Sequence, residues 1–320
     1  MNDSRPVPAT PYQHVQHLIS RLEQSLLGKR RKLEFAVACI LAQGHLLIED
    51  VPGVGKTTLA KSLAYGLGAE FKRVQFTSDL LPSDLIGVTV FQQGSGDFEF
   101  KRGPIFTHIL LADEINRANP KTQSALLEAM HDGQVSHDGQ TILLPQPFFV
   151  LATQNSKDNY GTFPLPESQL DRFLMKISLG YPTAALEKRV LKGDYIQPEV
   201  QKAELSLSEL SRIQGFVRNV HVADEVMDFI YNVVAASREH PAVQVGVSPR
   251  GGQALYRACQ GLAVVRQRDY ATPDDVRELA PLVCGHRVTL NHAQVLTNVD
   301  PDENARQIFR DIIMEVDAPL

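Results

Sequence analysis

From Tyr12, apolar residues recur at spacings of three and four (Val15, Leu18, Ile19, Leu22, Leu26) until Gly28 stops the run. That spacing predicts a helix, and a second is expected over Lys29 to Ala42. Past Gly44 the period changes. Short apolar runs at Leu46–Ile48, Val74–Phe76, Ile109–Leu111, Phe148–Ala152 and Leu174–Ile177 read as strands, and several of the intervals between them carry helical patterns. The alternation predicts an α/β unit around a buried, mostly parallel sheet. Two stretches interrupt it: Val88–Gly103, around Gly94-Ser95-Gly96, and Gly133–Pro147, around His137-Asp138-Gly139. Alternating residues about a Gly-containing turn predict an inserted β-hairpin in each. After Gly180-Tyr181-Pro182 strand signals nearly vanish. Helices are expected from about Ala184, Ser206, Asp224, Ser248, Thr272 and Glu303, with capping patterns at Ser206-x-x-Glu209 and Thr272-Pro273-x-Asp275. The expected organisation is a mobile, proline-containing tail over 1–11, an α/β core over 12–182 and an all-helical unit over 183–320.

Composition narrows the class. In 320 residues, 43% are hydrophobic and 22% charged, which is ordinary for a globular chain and excludes general disorder. The apolar stretch Phe35–Ala42 falls far short of the ~18 residues of a membrane span and lies too deep for a signal peptide. Cys39, Cys259 and Cys284 are widely spaced and form no C-x-x-C pair, so neither a disulfide framework nor a zinc site is indicated, and a reduced, cytoplasmic protein is expected. With 32 Lys and Arg against 37 Asp and Glu, the net charge of −5 argues against a nucleic-acid partner. The run Lys29-Arg30-Arg31-Lys32 reads as a solvated helix face.

Chemistry enters after the first strand, where Glu49-Asp50-Val51-Pro52-Gly53-Val54-Gly55-Lys56-Thr57-Thr58 leads into a helix. This is a phosphate-binding loop in its strand–loop–helix context. Its glycines let successive N–H groups face phosphates at a helix N-terminus, Lys56 can reach the β- and γ-phosphates, and the Thr57 hydroxyl is placed to ligate Mg²⁺. One position departs from G-x-x-x-x-G-K-[ST]: the usual first Gly is Asp50. Further on, the strand Ile109-Leu110-Leu111-Ala112 ends in Asp113 and Glu114. Acidic residues at a strand's carboxyl end lie where the phosphates sit, so Asp113 can hold the Mg²⁺ shell and Glu114 can polarise a water. The next strand ends at Gln154-Asn155, where a neutral amide could orient the water or the γ-phosphate. The stripe Leu126, Leu127 and Met130 is expected in the core.

These motifs, together with RGPIF at 102–106, LLADEINRANPKTQSALLEAMHDGQV at 110–135, LATQN at 151–155, FPLPESQLDRFLM at 163–175 and SPRGGQAL at 248–255, make the chain resemble the MoxR family of AAA+ ATPases over nearly its full length. The resemblance implies an AAA+ core with inserted hairpins followed by a helical lid, and ATP hydrolysis with Mg²⁺. It accounts for Asp50, since MoxR-like loops often begin E-D or E-G. It implies that Pro52, Gly53, Val54, Gly55, Lys56, Thr57 and Thr58 bind nucleotide and that Gly28 lies near the adenine. It also implies that Asn155 is the first sensor, Arg172 of L-D-R-F an arginine finger reaching a neighbouring subunit, and Arg250 of S-P-R the second sensor on the lid. Ser156 stands where relatives commonly place Pro. The implied partners are further copies in a hexameric ring, a protein with a von Willebrand factor A domain, and client proteins that are assembled, remodelled or loaded with a metal cofactor. A nucleic-acid motor, a metal-chelatase motor subunit and a non-hydrolysing nucleotide-dependent scaffold are the competing readings.

Overall fold

Thr10 caps the first helix. Its side chain accepts the Gln13 N–H while the Gln13 side chain accepts the Thr10 N–H, a capping box reinforced by Pro11 at the first helical position. The computed structural model describes residues 10–94, 96–155, 161–198, 203–291 and 301–318; of the tail expected over 1–11, residues 1–9 lie outside them, as do Ser95 and Ser156, whereas Thr10 and Pro11 belong to the first helix because the capping box and the proline start it there. Helices α1 (Pro11–Ser25) and α2 (Arg30–Leu41) lead into β1 (Leu46–Glu49), α3 (Lys56–Gly66), β2 (Phe71–Gln75) and α4 (Pro82–Ile86). The hairpin β3 (Gly87–Gln92) and β4 (Asp97–Arg102), then β5 (Ile109–Asp113) and α5 (Pro120–Asp132), precede a second hairpin, β6 (Gln134–His137) and β7 (Gln140–Leu143). β8 (Phe149–Gln154), α6 (Glu167–Leu170) and β9 (Met175–Ile177) complete the first part. The rest runs α7 (Ala184–Leu191), α8 (Leu207–Val217), α9 (Asp224–Glu239), β10 (Val243–Val245), α10 (Pro249–Val265), α11 (Pro273–Val283), β11 (Thr289–Leu290) and α12 (Pro301–Glu315).

The main sheet has the order β2-β5-β8-β1-β9, with every pairing parallel. Strands β5 and β8 are buried along their whole length, as a parallel strand covered on both faces requires. Their side chains alternate between two cores. Leu46, Ile48, Ile109, Leu111, Phe149 and Leu151 pack with α1–α3, whereas Leu47, Leu110, Ala112, Val150 and Ala152 pack with Leu126, Leu127 and Met130 of α5. The first core continues without interruption into α8–α12. Close approach of α10 to α2 depends on Gly261, where a Cβ would stand 2.5 Å from the Ala38 carbonyl oxygen.

Both inserted hairpins form as expected. They also touch each other: the Thr89 hydroxyl donates to Asp138 Oδ2 at 2.9 Å, and the rings of Phe100 and His137 lie 4.5 Å apart. Phe91, Phe98 and Leu143 are exposed on them. Among its described residues the carboxyl-terminal part is helical apart from the two-stranded antiparallel ribbon β10–β11 and a parallel bridge between His221 and Tyr270. These strands of three and two residues are too short to leave a period-two signal.

Candidate functional site

The carboxyl ends of parallel strands are where open α/β sheets bind ligands. Here β1, β5 and β8 end around a cleft of about 390 Å³ lined by Pro52, Gly53, Gly55, Lys56, Thr57, Thr58, Asp113, Glu114 and Asn155, joined by Arg73 and Gln75 from β2. The loop after β1 turns through Gly53 at φ 84° and Gly55 at φ 100°, conformations that a side chain would strain. Gly55 caps α3, so the first N–H groups of that helix face the cleft with their partial positive charge. Lys56 Nζ donates to the Asp50 carbonyl at 2.8 Å. Burial lowers the Lys56 pKa, and the carboxylates of Asp113, Asp50, Glu114 and Glu49 act against that shift.

Both oxygens of Asp113 are engaged. Thr153 Oγ1 donates to Oδ1 at 2.6 Å, and Arg73 donates to Oδ2 through Nη2 at 2.6 Å and Nε at 3.1 Å. Glu114 follows in the left-handed region at φ 56°, a conformation that costs a non-glycine residue on the order of 1–3 kcal/mol and concentrates at functional sites. Its N–H donates to Thr153 Oγ1 at 2.9 Å, and its carboxylate accepts from Gln75 Nε2 at 2.9 Å and pairs with Arg117 Nε at 3.3 Å. One carboxylate and one threonine hydroxyl beside a phosphate-sized cradle form a hard-oxygen donor set. That set suits Mg²⁺, whose coordination is completed by phosphates and water. Among the described residues, no cluster of three or more His, Cys, Asp or Glu offers an all-protein cage.

A second cleft, of about 370 Å³, shares Gly53, Gly55 and Thr58 with the first and is walled by Leu26, Leu27, Val54, Tyr181, Pro182, Val190, Leu191 and Tyr195. Its apolar walls and size suit a nucleobase. Gly28, at φ 70°, lies beneath Leu186 of α7, and its neighbours Leu27 and Lys29 line this second cleft.

Two expected site residues lie elsewhere. Arg172 donates from Nη1 to the Leu127 carbonyl at 2.6 Å. Arg250, half exposed in the first turn of α10, pairs with Asp171 Oδ2 at 3.4 Å and lines a separate groove of about 910 Å³ with Met227, Tyr231 and Tyr256. Neither arginine lines the phosphate-loop cleft. Asp171 is also gripped by buried Arg287, whose Nε donates to Oδ1 at 2.7 Å, so two arginines converge beside Arg172. Motif spacing does not reveal Arg73 and Gln75 on β2 or Thr153 on β8, because each is an ordinary polar strand residue until sheet pairing sets it beside Asp113 or Glu114. The solvated-face reading of the basic run fails at Lys29, whose ammonium is turned inward onto main-chain carbonyls; Arg30 and Arg31 do sit at the surface, paired with acidic neighbours.

Residues 45–175 match the ATPase family associated with various cellular activities (AAA), and residues 235–312 match the AAA lid domain. The chain is 44% identical to the uncharacterized protein YeaC of Bacillus subtilis over 94% of each chain. It is 37% identical to chaperone MoxR1 of Mycobacterium tuberculosis over 94% of this chain and 82% of that one. A crystal structure of a Cytophaga hutchinsonii protein superposes with a TM-score of 0.87 at 34% identity, covering 97% of this chain and 96% of that chain. A parallel sheet with a glycine-turned loop at its strand ends, a helical lid and relatives alike over nearly the whole length agree: the chain belongs to the MoxR family of AAA+ ATPases.

Proposed function

We propose that this protein hydrolyses ATP to ADP and phosphate in the cleft at the ends of β1, β5 and β8, as one subunit of a cytoplasmic hexameric ring that assembles, remodels or loads a metal cofactor into partner proteins. The phosphates rest on the backbone N–H groups of Gly53–Thr58, with Lys56 leaving the Asp50 carbonyl to meet the β- and γ-oxygens. The Thr57 hydroxyl and the Asp113 carboxylate would hold Mg²⁺, which would supply neutralisation of phosphate charge. Glu114 takes the proton of the attacking water, and the Asn155 amide orients that water. Gln75 and Arg117 fix where the Glu114 carboxylate points.

The observation that carries the proposal is the division of charges. The cleft gathers the lysine, both carboxylates and the amide, while Arg172 and Arg250 stand on other surfaces of the same chain. An arginine finger is worth ~10³–10⁵ in rate. Arg73 lines the cleft but is committed to Asp113, and Arg117 to Glu114, so with Arg172 and Arg250 both outside the cleft the subunit obtains that gain from a neighbour. The exposed hairpin residues Phe91 and Phe98 are the contact surface for a client, and a protein with a von Willebrand factor A domain is a further partner.

Subunit mixing tests the division. Lys56→Ala and Arg172→Ala proteins should each be inactive alone and regain part of the wild-type rate when mixed, because some junctions then pair an intact loop with an intact arginine. Specific activity should rise with protein concentration. Full-rate hydrolysis by isolated monomers, or a mixture as inactive as its components, would contradict the trans assignment.

A further inference from the structure

Asp50 stands where the phosphate-loop pattern has glycine, and the structure gives it a task that glycine cannot perform. The carboxylate is buried and pointed away from the phosphate cleft, at the segment 178–181 that joins β9 to α7. Its Oδ2 accepts the Leu179 N–H at 2.6 Å, the Gly180 N–H at 2.7 Å and the Ser178 hydroxyl at 3.0 Å, while Oδ1 accepts the Val51 N–H at 3.0 Å. Successive amides converging on one anion, with Gly180 at φ 65°, form an anion nest. The carbonyls of the same segment are gathered by the opposite charge. Lys29 Nζ donates to the oxygens of Leu179 at 2.9 Å, Gly180 at 2.8 Å and Tyr181 at 2.8 Å, which uses all three ammonium protons. A carboxylate and an ammonium thus hold opposite edges of four residues.

Those residues also shape a ligand pocket. Lys29, Tyr181 and Pro182, with Val190 and Leu191 of α7, line the apolar cleft beside the phosphate loop. Asp50 is itself part of the strand–loop junction, since its own carbonyl receives Lys56 Nζ. We infer that Asp50 and Lys29 form a charged clamp that sets the wall of the nucleobase pocket against the phosphate loop, making them positioning residues for recognition of the base rather than of the phosphates. This rests on the reading of the cleft as a nucleotide site. Neither charge needs to touch the ligand: breaking either releases one edge of 178–181, and the pocket wall loses its fixed distance from the loop. Charged partners of main-chain groups make stronger bonds than neutral ones, so the geometry is held tightly.

The test compares a ligand with a base against one without. Wild type, Lys56→Ala, Lys29→Met and Asp50→Asn proteins are titrated calorimetrically with ATP and with inorganic tripolyphosphate. Lys29→Met and Asp50→Asn should each weaken ATP at least fivefold and leave tripolyphosphate within twofold, and the double variant should be no worse than about the weaker single one, because both hold the same segment. Equal weakening of both ligands by Lys29→Met, or no change in either, would overturn the clamp. Lys29 lies outside the phosphate loop, so Lys29→Met decides the matter even if Asp50→Asn does not fold. Lys56→Ala should weaken both ligands; if it weakens neither, the nucleotide-site reading fails, a result distinct from failure of the clamp.

Discussion

Acid should destabilise this protein through His45, one residue before β1. The ring is buried beside Phe148 and Phe149; Nδ1 accepts the Val150 N–H at 3.0 Å, and Nε2 therefore carries the proton and donates to the Met130 carbonyl at 3.0 Å. A second proton on Nδ1 would face the Val150 N–H and place a charge in the core. Burial accordingly pushes the pKa down from 6.5 to about 4. Between those values the unfolded chain binds a proton that the folded one refuses, so stability is full above pH 6.5 and falls as pH drops towards 4. A gap of about 2.5 pH units at about 1.4 kcal/mol each amounts to about 3 kcal/mol. Urea unfolding from pH 7 to 4 should show that loss in wild type. His45→Gln, which keeps a donor and an acceptor but does not titrate, should show a pH slope smaller by that amount. Identical pH slopes in the two proteins would refute the reasoning.

Arg287→Met should cost about 3–5 kcal/mol in urea unfolding, because it strips the buried partner from Asp171 and removes a charged donor from the carbonyls of Asp171, Phe173, Leu174 and Val283; a shift under about 1 kcal/mol would show that Arg250 and water replace it. Arg250→Ala should depress hydrolysis itself, measured as phosphate release by the assembled protein. Shortening the 94–96 hairpin tip should leave basal hydrolysis within a few-fold and abolish client-dependent change in rate. Unchanged client stimulation after that deletion would move the client surface away from the hairpins.

What could be read in the chain depended on how local its cause was. The phosphate loop, the acidic end of β5 and the helix caps are each written in a few consecutive residues, because glycine geometry and strand-end exposure act over that range. Both hairpins and four of the five sheet strands are legible for the same reason, while β2, expected at Val74–Phe76, runs over Phe71–Gln75 because this edge strand is largely polar and leaves only its end as an apolar run. Arg73 and Gln75 are not legible: they are ordinary polar residues of β2 until sheet pairing sets that strand beside β5, with Gln75 opposite Asp113. Lys29 looked solvated within its basic run, since its three carbonyl partners lie about 150 residues away. Asp50 could be noticed as a departure, but its purpose appeared only when the fold brought segment 178–181 against it.

The central claim is that ATP is cleaved in the cleft where Glu114 faces the phosphate loop, and steady-state phosphate release measured beside ATP binding for Glu114→Gln tests it most directly. The substitution keeps the side chain's size and removes only the base, so ATP affinity should stay within a few-fold of wild type while turnover falls at least ~10²-fold. Wild-type turnover by Glu114→Gln would contradict the account.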